Sequence, residues 1–247
     1  MRFQRGELSV ETYKEFLDRI NSFEKSEIDL GKDYFKGNPS IALKVNEDNS
    51  FRPFYGDTVV FNLDDATKQK LKRIVDRITA VAPECFCESL VSNTFHMTLH
   101  DLSNSPVLED VASELFHNEL KALKIAENIT EQKIKMKSKY IFNMVNTSLV
   151  MGLYPADEEE YTKLMNLYYL FDDVKKLGYP LTPHITLGYY NVKGFSAESA
   201  RKLENIVKEL NANEKEIEIE LDTKELFYQK FISMNDYINI FCVAGKK

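Results

Sequence analysis

The chain has 247 residues, 43% of them hydrophobic with 16 Phe and 13 Tyr, which is ample for one large domain or two closely joined lobes. A formal net charge of -7 argues against a surface built to track long nucleic acid, because affinity for the phosphate backbone comes from clustered Lys and Arg. No segment approaches the ~20 apolar residues that span a bilayer, and residues 1–7 lack the apolar core of a secretion signal, so no membrane partner and a cytoplasmic location are the expectations.

Tyr13, Phe16, Leu17 and Ile20 recur at helical spacing, with Ser9 placed as an N-cap, and a Gly- and Asp-containing stretch follows to about residue 50. Residues 1–50 are therefore expected to form an N-terminal extension of helix and loop, and residues 51–247 the main domain. Arg52-Pro53-Phe54-Tyr55-Gly56-Asp57 reads as a turn before a strand. Arg52 is a candidate phosphate ligand there and Tyr55 or Phe54 a candidate base-stacking ring, against the plain alternative of a packed turn.

Asp57 to Leu63 is β-rich, and Leu71, Ile74, Val75, Ile78 and Val81 then follow at helical spacing. Beyond residue 100, Leu108, Val111 and Leu115 mark a helix. Lys133, Lys135, Lys137 and Lys139 alternate with Ile134, Met136, Ser138 and Tyr140 as in a half-exposed strand, read as a solvated face or a charge-protected sheet edge rather than a phosphate track. Asn143 to Leu153 supplies a partner strand. Tyr161, Leu164, Met165, Tyr168 and Phe171 form a third helix of the domain, and Leu203, Ile206, Val207 and Leu210 a fourth. Ile217 to Leu221 and residues 225–243 add strands. Cys85, Cys87 and Cys242 fit neither a disulfide framework nor a zinc spacing and read as reduced thiols.

Two segments nearly repeat one another: Phe95-His96-Met97-Thr98-Leu99-His100 and Pro183-His184-Ile185-Thr186-Leu187-Gly188. At average residue usage a given His is followed by apolar, Thr and Leu in roughly one case in 500, so two hits among four histidines arise by chance on the order of once in 10⁵. In an extended strand His96 and Thr98 share one face while Met97 and Leu99 take the other, and His184 and Thr186 are separated likewise from Ile185 and Leu187. The repeat spacing of 88 residues lets each motif sit in its own α+β half, facing the other across a groove.

Two imidazoles on opposite walls of a groove suit a displacement in which one takes a proton from the nucleophile while the other protonates the leaving oxygen. Two threonine hydroxyls suit the nonbridging oxygens of a phosphate. That chemistry calls for no metal and no cofactor. By strict alternation His100 lies on the face of His96 and Thr98, and Tyr190 is assigned the corresponding place after His184; both are candidate substrate contacts at the rim. His100 and His96 are some 13 Å apart on a strand, too far for a metal pair. His117 is read as structural or exposed.

His96-Met97-Thr98-Leu99 and His184-Ile185-Thr186-Leu187 resemble the His-hydrophobic-Thr-hydrophobic motifs of the two-histidine (2H) phosphoesterase superfamily, which includes RNA ligase-like cyclic phosphodiesterases and 2′,5′-phosphodiesterases. The resemblance implies a bilobal α+β fold with antiparallel sheets lining a central groove, metal-independent catalysis by His96 and His184, and phosphate binding by Thr98 and Thr186. The expected substrate is a nucleotide, an oligoribonucleotide or a small cyclic phosphate, hydrolysed at a 2′,3′-cyclic phosphate or a 2′,5′ linkage. A non-catalytic module for phosphorylated nucleotide or RNA ends, and RNA 2′,5′ end-joining, are the competing readings.

Overall fold

A computed structural model describes residues 11–25 and 34–244 of the chain. Short polar side chains open most of the helices. Thr12 and Glu15 form a reciprocal capping box at α1 (Tyr13–Ser22), whereas the expected cap Ser9 lies outside the described residues. A two-residue strand β1 (Tyr34–Phe35) and a 3₁₀ turn at Pro39–Leu43 lead to β2 (Tyr55–Asn62). Asp64 then caps α2 (Asp65–Val81), and the first motif occupies β3 (His96–Ser105), followed by α3 (Leu108–Ala126).

β4 (Lys133–Met144) and β5 (Ser148–Pro155) form a hairpin. Its turn lies at Val145 and Asn146, both at positive φ, where the Asn143 carboxamide accepts from the Asn146 amide at 3.1 Å. Asn143 and Met144 thus belong to β4, and the partner strand starts five residues later than its expected Asn143 boundary. α4 (Glu158–Leu170) is capped by Asp157, and the second motif opens β6 (His184–Tyr189). β7 (Phe195–Ser196), α5 (Ala197–Asn213), β8 (Glu218–Asp222), β9 (Leu226–Ser233) and β10 (Asp236–Cys242) complete the described chain.

The strands form two four-stranded antiparallel sheets, ordered β10-β9-β2-β3 and β6-β5-β4-β8, with β1 pairing β7 as a separate ribbon. The fold is α+β. β3 and β6 are edge strands of their respective sheets and approach each other where the sheets meet. The order β2-α2-β3-α3 recurs as β5-α4-β6-α5, so each motif strand returns antiparallel beside the strand that precedes its helix. β4 is an inner strand, which removes the sheet-edge reading of its lysine row. Lys133 pairs with Glu220 and Lys137 with Glu216 on the solvated face.

One continuous apolar core runs through both halves. Met97, Leu99, Ile185 and Leu187, on the inward face of the motif strands, are all buried in it. Each such side chain contributes about 1.5–3 kcal/mol through the water it leaves. Phe16, Ile20, Phe35, Ile41 and Val45 join the same core from the segment before residue 50. Cys85 and Cys87 are free and buried, and burial pushes both thiols up to about 12. Among the described residues no helix is long and apolar enough to cross a membrane.

Candidate active site

Each motif histidine is held in the same way. His96 Nδ1 lies 2.7 Å from the carbonyl of Thr94, and His184 Nδ1 lies 2.7 Å from the carbonyl of Thr182, two residues upstream in both cases. A carbonyl can only accept, so Nδ1 carries the hydrogen in each ring, and Nε2 of the neutral imidazole is left with its lone pair. The two carbonyls are themselves braced differently. Thr94 sits in a 3₁₀ turn whose amide and hydroxyl both donate to Val91 O. Thr182 is gripped by α1: Arg19 donates to Thr182 Oγ1 at 2.9 Å and to Leu181 O at 2.8 Å, with its guanidinium paired to Glu11 at 2.7 Å.

His96, Thr98, His184 and Thr186 line one cleft of about 570 Å³. Neither threonine hydroxyl has a hydrogen-bond partner among the described residues, leaving both as donors toward the cleft. Phe54, Leu90, Tyr189, Phe231, Met234 and Tyr237 give part of the lining an apolar and aromatic character. Tyr237 meets His96 edge-on with ring centroids 5.1 Å apart. The β9-β10 hairpin is brought there by Asn235, whose side chain accepts from the Val91 amide at 2.8 Å and donates to Ser89 O at 3.0 Å.

Burial disfavours a charged ring and holds His96 down at about 4, with the nearby His184 and Lys68 adding to the effect. His184 is lowered for the same first reason, with Lys44 adding to it. The carbonyl bonds and the carboxylate of Asp101 oppose the shift at both rings. Asp101 lines the cleft and accepts from Tyr179 Oη at 3.1 Å. No group of three or more His, Cys, Asp or Glu among the described residues is arranged to hold a metal ion.

The remaining sequence candidates lie elsewhere. His100 is buried rather than at the rim, stacked on Tyr168 at 4.9 Å with Nε2 3.3 Å from Asp172. Tyr190 is fully buried among Phe35, Phe86 and Phe195. Both misplacements have one cause. Val59 pairs with His100 but Val60 with Thr98, so Leu99 is an extra residue in β3; Leu149 pairs with Gly188 but Val150 with Thr186, so Leu187 is an extra residue in β6. A bulge at the motif leucine of each strand reverses the alternation beyond it and turns Asp101 and Tyr189 to the cleft instead. Arg52 is directed at the Ala42 carbonyl, 3.0 Å from Nη1, and Tyr55 opens β2 opposite Ser105; neither lines the cleft, although Phe54 does.

No protein-family model and no curated protein matches this chain. Among solved structures, a conserved protein of unknown function from Agrobacterium tumefaciens str. C58 superposes with a TM-score of 0.63 at 16% identity, over 84% of this chain and 94% of that one. The two share a fold. The structural neighbours also include a phosphoesterase, with a TM-score of 0.46 at 12% identity over 77% of this chain and 96% of that one. Escherichia coli LigT in its apo form gives 0.44 at 13% identity, over 77% and 96%.

Proposed function

We propose that this protein is a metal-independent phosphodiesterase of the 2H type, with His96 and His184 as its acid-base pair and Thr98 and Thr186 as donors to the phosphate. The supporting observation is that both His-x-Thr strands send all four side chains into one cleft, each ring held through Nδ1 by a backbone carbonyl. The substrate class is a 2′,3′-cyclic phosphate or a 2′,5′-linked ribonucleotide.

For a cyclic phosphate, one neutral imidazole takes a proton at Nε2 from water as the water oxygen bonds to phosphorus. The other ring, protonated, gives its proton to the ribose oxygen whose bond to phosphorus breaks. A phosphomonoester leaves, and the proton has in effect changed rings. Each transfer typically contributes about 10²–10⁴ in rate. The threonine hydroxyls stabilise the negative charge on the nonbridging oxygens through the transition state.

The test is turnover of a panel of 2′,3′-cyclic mononucleotides and 2′,5′-linked oligonucleotides in excess EDTA, for the wild type beside His96→Ala and His184→Ala. Turnover that persists in EDTA and falls by at least about 10²-fold in each variant is the expected result. Activity that disappears with chelator, or survives loss of either ring, overturns the mechanism. Ligand-induced stabilisation by a cyclic nucleotide that is never consumed would favour a binding module instead.

A further inference from the structure

Two lysines line the cleft, and they differ in what they touch. Lys175 is paired with Glu114 at 3.5 Å and donates to Ser103 Oγ at 3.2 Å. Lys44 has no carboxylate within ion-pair distance among the described residues; its ammonium lies 5.2 Å from the ring centre of Phe54 and 5.1 Å from that of Tyr189. Aromatic faces hold an ammonium by their quadrupole without supplying a conventional hydrogen-bond acceptor, so its three N–H donors remain available.

The position is built from several directions. The amide of Lys44 donates to Ile41 O at 2.9 Å, and its carbonyl accepts from the Arg52 amide at 3.0 Å. Arg52 also closes on Ala42 O, so the residue expected to bind phosphate instead fixes the turn that carries Lys44. Tyr189, one of the two supporting rings, faces the cleft because of the bulge at Leu187. Tyr189 lies on the same strand as His184, so the contact with its ring places Lys44 on that side of the cleft.

We propose that Lys44 is a phosphate-binding residue of this cleft, its ammonium held by Phe54 and Tyr189 to receive an anionic oxygen of a phosphorylated ligand on the His184 side. The proposal rests on the reading of the cleft as a phosphodiester site. The shared ligand chemistry is a phosphate oxygen, supplied either by the scissile diester or by a neighbouring phosphate of the same substrate. A lysine serves this purpose as a point charge, so an arginine is expected to replace it in part.

The experiment is calorimetric titration with inorganic phosphate at low ionic strength of the wild type, Lys44→Gln, Lys44→Arg and Lys44→Met, the last retaining an apolar stem against the rings. KM and kcat are measured alongside on a 2′,3′-cyclic nucleotide with and without a 5′-phosphate. Phosphate affinity is expected to fall about ten- to hundredfold in Lys44→Gln and Lys44→Met and to recover partly in Lys44→Arg. KM should rise with little change in kcat. A rise for both substrates identifies the scissile phosphate as the partner, and a rise confined to the 5′-phosphorylated substrate identifies the neighbouring one.

Equal phosphate affinity in folded wild type and Lys44→Met overturns the proposal. If phosphate binding depends on Lys44 but no diester is turned over, Lys44 stands and the phosphodiesterase reading falls. If turnover requires His96 and His184 while phosphate affinity and KM ignore Lys44, the opposite holds.

Discussion

The two histidines proposed to trade protons are both placed where charge is disfavoured. With His96 held at about 4 and His184 also lowered, both rings enter the cleft neutral at pH 7. In the proposed mechanism the pair needs one proton, and rings lowered below the ordinary 6.5 retain it only in more acid solution. The expected kcat/KM profile therefore peaks below pH 6.5 and falls as pH rises through neutrality. Asp101 pulls in the other direction at both rings, so Asp101→Asn should lower both and move the peak to more acid pH. Paired pH-rate profiles, with NMR titration of the imidazoles, check both signs; superimposable profiles would remove Asp101 from the electrostatics of the site.

At the scale of elements, period-2 reasoning places the four motif side chains correctly and fails immediately after them. His96, Thr98, His184 and Thr186 precede the bulges, whereas Asp101 and Tyr189 follow them. Parity cannot be read through an inserted residue; Leu99 has no neighbouring Gly or Pro to announce the irregularity, whereas Gly188 beside Leu187 is a sequence sign of one. The helices were legible because their apolar spacing is strong. The aromatic lining from β10 was not, because it depends on how a sheet curls and on the long-range bonds of Asn235. Bulged strands also crowd their neighbours. A second shift in β3 lies opposite Gly56, where an added Cβ would come within 2.5 Å of the Ser103 carbonyl and 2.3 Å of Phe231. Gly56→Ala is accordingly expected to cost about 1–3 kcal/mol, read as a lower midpoint in urea with an unchanged slope.

Across the whole molecule the site depends on parts of the chain that are far apart in sequence. The lobes contribute one histidine and one threonine each, and the segment before residue 50 lines the cleft with Ser40 and Lys44 and, through Arg19, holds the carbonyl-bearing loop behind His184. Arg19 touches no cleft atom and acts as a positioning residue. Arg19→Ala should lower kcat about ten- to hundredfold with KM little changed, because a ring displaced by about 1 Å loses alignment rather than binding. Nitrogen NMR of the His184 imidazole distinguishes this from general destabilisation: the Nδ1-protonated tautomer should lose its dominance in the variant while that of His96 is retained. An unaltered His184 tautomer with an unaltered kcat would show that Arg19 only fastens α1.

The two histidines, alike in motif and in hydrogen bond, thus have different tethers. His96 leans on a turn next door, while His184 leans on a helix some 160 residues earlier, anchored by Arg19. On the proposed mechanism, damage to that distant anchor, such as brief warming that frays α1, would silence one half of the acid-base pair while leaving the cleft walls in place. Such a molecule is expected still to capture the proposed ligand, and to fail only at letting it go changed.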